Sequence, residues 1–112
     1  MMKIKENSRG GVVVVSLAGD LLGEPEISDV RKVVYKLLNV GTKKIVLELK
    51  KVGRMNSTGL GSIMAAHASC RSKDGELRLA NVSDHVGSVL ALTRVVKVIR
   101  TYETVDKAVK SF

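Results

Sequence analysis

The run VVVVSLA, Val12–Ala18, gives way to an interval whose apolar residues recur every three and four positions, and then to KKIVLELK, where they alternate. A continuous β-branched run suits a strand buried on both faces. Ile27, Val30, Val33, Val34, Leu37 and Leu38 share one helical stripe, with Pro25 suited to a first turn and Gly41 to the stop. Ile45, Leu47 and Leu49 then fall on one face and Val46 and Glu48 on the other, which is strand period. A helix between two strands supplies a crossover, so the two strands run parallel, and the chain is committed to an α/β layer architecture.

The flanking segments extend this pattern. A short strand around Lys3–Lys5 pairs with Val12–Ala18 through the NSRGG turn as an antiparallel hairpin. After RMNSTGLGS, Arg54–Ser62, a helical stripe of Leu60, Ile63, Met64, His67 and Ala68 runs to the turn signal SKDGE, and Leu60, Ile63 and Met64 are expected to face the sheet. ELRLANV reads as a strand, and SDHVGSVLALT as a helix capped by Ser83 with Val86, Val89 and Leu90 inward. VVKVIRTY reads as a last strand, and Thr104 caps a short helix holding Val105, Ala108, Val109 and Phe112. The expectation is one domain over residues 1–112, a mixed and largely parallel sheet of four to five strands flanked by about four helices.

Composition narrows the function. A hydrophobic fraction of 45% supports a packed core, and Cys70, the single cysteine, excludes an intramolecular disulfide, which suits a reducing cytoplasm. No apolar run resembles a signal peptide or a membrane span, so a soluble protein without a membrane partner is expected. The net charge of +8 attracts acidic partners, but Tyr35, Tyr102 and Phe112 are too few aromatics for a nucleic-acid stacking platform, and direct nucleic-acid binding is not expected.

The sequence Met55-Asn56-Ser57-Thr58-Gly59-Leu60-Gly61-Ser62 lies between a strand ending at Lys50 and a helix beginning near Ser57. The first backbone N–H groups of such a helix lack intrahelical partners, and the end favours anions. One reading makes Asn56 or Ser57 a simple N-cap, with Gly59 and Gly61 allowing a tight turn and close packing. The other makes a hydroxyl a phosphoryl acceptor beside Lys50, Lys51 and Arg54, where added phosphate is tolerated but alters any partner surface. Elsewhere the signals are poor. GLG lacks the third glycine of a dinucleotide fingerprint, His67 and His85 lack a spaced set of metal ligands, and Cys70 reads as a small buried hydrophobe. No cofactor, metal or catalytic set is indicated, and the chain is not read as an enzyme.

In order along the chain, VVVVSLAGDL, MNSTGLGSIMAAHASC and LRLANVSDHVGSVLALTRVVKVIRTYETVDKAV resemble the STAS-domain anti-sigma-factor antagonists of bacteria, over about Ile4–Val109. The resemblance implies a mixed sheet flanked by helices and a partner-switching cycle. In that cycle the antagonist binds an anti-sigma factor that is also a serine kinase, phosphorylation releases it, and a serine phosphatase restores binding. It places the phosphorylated residue at Ser57 in preference to Thr58, and the partner surface at Asp20, Met55, Asn56, Ser57, Thr58, Gly59, Leu60, Gly61 and Ser62. Met55, Leu60 or a neighbouring apolar side chain would supply the anchor. Asn56 stands where the family has aspartate, Leu22 replaces the second acid of the LxGELD pattern, and Glu48 replaces a strand aspartate. Two other readings stay open: a small-ligand sensor that holds a nucleotide or another anion at the same helix terminus, and a basic module for nucleic acid or membrane.

Overall fold

A turn of two glycines, Gly10 with φ 59° and Gly11 with φ 85°, reverses the chain between β1 (Lys3–Arg9) and β2 (Val12–Ala18). Positive φ at both central residues is the type I′ geometry whose twist matches that of a hairpin, and Arg9 pairs directly with Val12 across it. This and all that follows come from a computed structural model that describes residues 2–112. The remaining elements are α1 (Glu26–Asn39), β3 (Lys44–Lys51), α2 (Ser57–Ser72), β4 (Glu76–Ala80), α3 (Asp84–Leu92), β5 (Thr101–Tyr102) and α4 (Val105–Lys110).

The described residues form one five-stranded sheet in the order β1-β2-β3-β4-β5, with β1 antiparallel to β2 and every other pair parallel. The expected α/β architecture is therefore what the chain adopts. Gly41, with φ 89°, ends α1 as its position implied: its N–H donates to the Leu38 carbonyl and that of Thr42 to the Leu37 carbonyl, which closes a Schellman motif.

Alternation along the strands divides the apolar residues between two faces. Val15, Leu17, Ile45, Leu47, Leu49, Leu77 and Leu79 pack with Val30, Val34, Ile63 and Leu90 from the first three helices into the larger core. Val12, Val14, Val46 and Ala80 meet Ala108 of α4 in a smaller one. There Arg78 is buried beneath the ring of Phe112, 4.2 Å away, and donates to Ser111 Oγ at 2.6 Å. An ion pair from Arg9 to Asp106 ties α4 to the hairpin.

Two expectations are corrected. The inward face of α2 is Gly59, Leu60, Ile63, Ala66 and Cys70, while Met64 is 40% exposed and Ala68 is exposed. Small residues let this helix approach its neighbours closely, so the true stripe is rotated away from the one that size and hydrophobicity alone suggest. VVKVIRTY is not one strand: Val95–Lys97 form a 3₁₀ turn that buries Val95 and Ile99, and only Thr101–Tyr102 join the sheet. The β-propensity of the valines yields to a tertiary setting that needs inward residues at helical spacing.

Candidate functional site

Parallel strands bring their C-terminal ends to one edge of the sheet, and the loops that leave β2, β3 and β4 collect there. The first two run side by side beyond the sheet. Gly19 N–H donates to the Lys51 carbonyl at 3.0 Å, Leu21 N–H to the Arg54 carbonyl at 2.9 Å, and Leu21 and Met55 form an isolated parallel bridge.

Side chains then fasten the loops. Asp20 Oδ1 accepts the Arg54 backbone N–H at 3.1 Å, and Oδ2 accepts from Arg54 Nε at 3.0 Å and from its terminal nitrogen at 2.8 Å. Asn56 donates through Nδ2 to the Leu22 carbonyl at 2.9 Å and accepts through Oδ1 from Gly59 N–H at 2.9 Å. From the third loop, Ser83 Oγ donates to the Val52 carbonyl at 2.7 Å and accepts from Val86 N–H at 3.3 Å. His85 Nε2 lies 3.4 Å from the Met55 carbonyl.

Asn56 is thus the N-cap of α2, and Ser57 and Thr58 are its first two residues, both exposed. The cap satisfies Gly59 N–H, and the Leu60 N–H reaches the Asn56 carbonyl at 2.9 Å. The N–H groups of Ser57 and Thr58 have no intrahelical acceptor, and they leave a partial positive charge beside the two hydroxyls. Arg54 is engaged by Asp20, so a phosphate at Ser57 would compete with that carboxylate for the guanidinium instead of finding it free.

Gly59 is sterically fixed: a Cβ there would sit 2.0 Å from the Leu21 carbonyl oxygen and 2.9 Å from Met55 Cγ. Gly61 faces open space and is exposed, and Ser62 Oγ is turned back onto the Gly59 carbonyl at 2.6 Å. Met55 and Leu60 are buried in the larger core, so neither is available as the expected apolar anchor. The neighbour that is available is Leu22, 38% exposed on the loop held by Asn56. Its signal in the sequence is an apolar residue placed directly after Asp20-Leu21 in a loop. Cys70 is buried, its thiol pushed up to about 11 by burial, and partial burial lowers the His67 pKa. No cluster of three metal-ligating side chains occurs among the described residues.

An open α/β sheet with an exposed Ser-Thr pair at a capped helix terminus, braced by the preceding strand's loop, defines the class. The chain belongs to the STAS domain family, whose family model matches residues 3–108. A Thermotoga maritima protein provisionally named an anti-sigma factor antagonist is 32% identical over 75 residues, 67% of this chain and 66% of its own length. The anti-sigma-B factor antagonist of Staphylococcus aureus is 30% identical over 67 residues, 60% of this chain and 62% of its own. The chain thus matches just under two thirds of the length of these relatives. The crystal structure of a Thermotoga maritima protein with the same provisional description superposes with a TM-score of 0.88 at 27% identity, covering 96% of this chain and 92% of that one.

Proposed function

We propose that this protein is an anti-sigma factor antagonist that works by partner switching in the cytoplasm. Its docking face is the first turn of α2 with the Asp20–Leu22 loop, its partner an anti-sigma factor that is also a serine kinase, and its phosphorylated residue Ser57. The observation that carries the reading is the exposed hydroxyl of Ser57 at a helix terminus whose neighbouring loop is already fastened by Asn56 and Asp20. A partner would meet a preorganised surface, with Leu22 as the apolar contact and exposed Gly61 allowing close backbone approach. Phosphorylation would add nearly two negative charges at the centre of that face without touching the core. Thr58 is also exposed, but its hydroxyl sits on a β-branched carbon, and the family resemblance assigns the switch to Ser57. A serine phosphatase would return the protein to its binding state.

The test is affinity capture from the native cell with the wild type and Ser57→Asp, followed by mass spectrometry. An anti-sigma factor with a kinase domain is expected on the wild type and lost on Ser57→Asp. Incubation of that partner with ATP and site mapping on wild type, Ser57→Ala, Thr58→Ala and Asn56→Asp then assigns the acceptor. Phosphate is expected on Ser57, with transfer faster in Asn56→Asp, where the acid of the family is restored. Phosphate on Thr58 alone would reverse the assignment, and capture of no anti-sigma factor would overturn the reading.

A further inference from the structure

Among the described residues, seven large hydrophobic side chains stand in solvent, and three of them fall within one short segment while the other four are scattered singly. Leu92 is 85% exposed, Val98 56% and Val96 44%. They lie on the end of α3 and the 3₁₀ turn that follows, where Val95 and Ile99 point inward and so turn Val96, Lys97 and Val98 outward. Arg94, in left-handed backbone with φ 63°, makes the sharp corner between the two.

The same segment is cationic. Arg94, Lys97 and Arg100 are exposed and interleaved with the aliphatic residues, and none of the three takes part in the ion pairs found among the described residues. From His85 to Tyr102 the sequence contains no aspartate or glutamate. Aliphatic tips flanked by unneutralised cations match an interface whose outer layer is anionic and whose next layer is apolar.

We infer that Leu92, Val96 and Val98, ringed by Arg94, Lys97 and Arg100, form a peripheral contact for an anionic lipid bilayer. Basic residues gain from the negative surface potential of such a membrane, and short aliphatic side chains enter the boundary between headgroup and acyl chain. The patch has none of the aromatic residues that dominate protein hot spots, and valine and leucine are under-represented there. It also lies away from the Ser57 face. His85, at the start of α3, touches that face, and Leu92 is about 10 Å further along the helix axis. A lipid contact therefore leaves the partner surface open. It differs from the expectation of no membrane partner because it needs no spanning segment, only a surface.

The experiment is vesicle co-sedimentation of the full chain with phosphatidylglycerol–phosphatidylcholine vesicles and with pure phosphatidylcholine vesicles. Binding is expected to the anionic vesicles only, weakened by added salt, and reduced at least tenfold in Leu92→Glu/Val98→Glu with an unchanged circular dichroism spectrum. Leu92→Gln/Val98→Thr, which adds no charge, should weaken binding in the same direction and guards against a folding defect in the first variant. Lys97→Glu should weaken it with a smaller salt dependence. No association with anionic vesicles would overturn the inference. So would equal binding by wild type and both aliphatic variants, which would leave only bulk charge, or loss in those variants of affinity for a captured anti-sigma factor with vesicle binding intact, which would assign the patch to a protein interface.

Discussion

The side-chain amide of Asn56 joins α2 to the loop that carries Leu22: Nδ2 donates to the Leu22 carbonyl and Oδ1 accepts from Gly59 N–H, each at 2.9 Å. An aspartate in its place could do only the second, since a carboxylate cannot donate. One carboxylate oxygen would then face the Leu22 carbonyl oxygen across the gap that the amide now closes. Asn56 thus supplies a fastening that an acid could not, at the cap of a helix with no acidic residue in its first turn.

Asn56→Asp is accordingly expected to keep α2 capped while loosening residues 20–25. Hydrogen exchange should quicken at the amides of that loop and stay slow at Leu60, and urea denaturation should show a loss of about 1 kcal/mol, the usual worth of one hydrogen bond. Asn56→Ala removes cap and latch together and should cost about 2 kcal/mol. Equal exchange in the loops of wild type and Asn56→Asp would show that the latch contributes nothing.

The two glycines of the motif should separate cleanly. Gly59→Ala drives a Cβ to 2.0 Å from a backbone carbonyl, which no side-chain rearrangement relieves, so a loss of about 3 kcal/mol is expected. Gly61→Ala meets no atom within 4 Å and should stabilise the helix by about 0.5–1 kcal/mol. If Gly61 serves partner approach, that stabilised variant should still bind more weakly. Chemical denaturation beside titration with the captured partner reads both effects.

Asp20→Ala removes three bonds to Arg54, but the pair is on the surface, with Arg54 69% and Asp20 37% exposed at the side chain. Solvent screening keeps the ion pair small, and a loss of about 1 kcal/mol is expected, mostly from the carboxylate's bond to the Arg54 backbone N–H. Arg54→Ala, which keeps that backbone bond, should cost less. A double-mutant cycle with thermal unfolding separates the two contributions.

Cys70 should ignore thiol reagents in the native protein and react with one equivalent once the chain is unfolded. Burial raises the thiol to about 11, above its value in the unfolded chain. The unfolded chain therefore loses its proton first, and folding stability from this group falls as pH rises from the unfolded thiol's range towards 11. Colorimetric thiol titration with and without denaturant, and unfolding of Cys70→Ala across that range, check both statements.

Much of the fold was legible because local signals agreed with one another. The β-branched Val12–Val15 run, the helical stripe ending at Gly41 and the return to alternation at Ile45 each fix an element, and together they fix a parallel crossover. Val95–Tyr102 was misread because four valines and isoleucines favour a strand in isolation, while the buried pair Val95 and Ile99 answers to helical spacing. Met64 lies off the true inward stripe, because large apolar residues dominate the helical pattern whereas α2 packs in part through the small Gly59, Ala66 and Cys70. At the site, the hydroxyl pair and its helix terminus could be read from RMNSTGLGS. The bonds from Asn56 to Leu22, Arg54 to Asp20 and Ser83 to Val52 could not, since each spans more than thirty positions and depends on how loops meet at the sheet edge.

The sheet's strand order is also the order in which the strands are synthesised. During translation each strand therefore emerges beside an edge that already exists, and the sheet grows outward without waiting for a later strand to be inserted between earlier ones. The fastening of Val52 by Ser83 can form only after α2 and β4 have left the ribosome. A nascent chain could therefore form the Asp20 and Asn56 fastenings around Ser57 first, and the brace from Ser83 would be added to that face only later in the synthesis of the polypeptide.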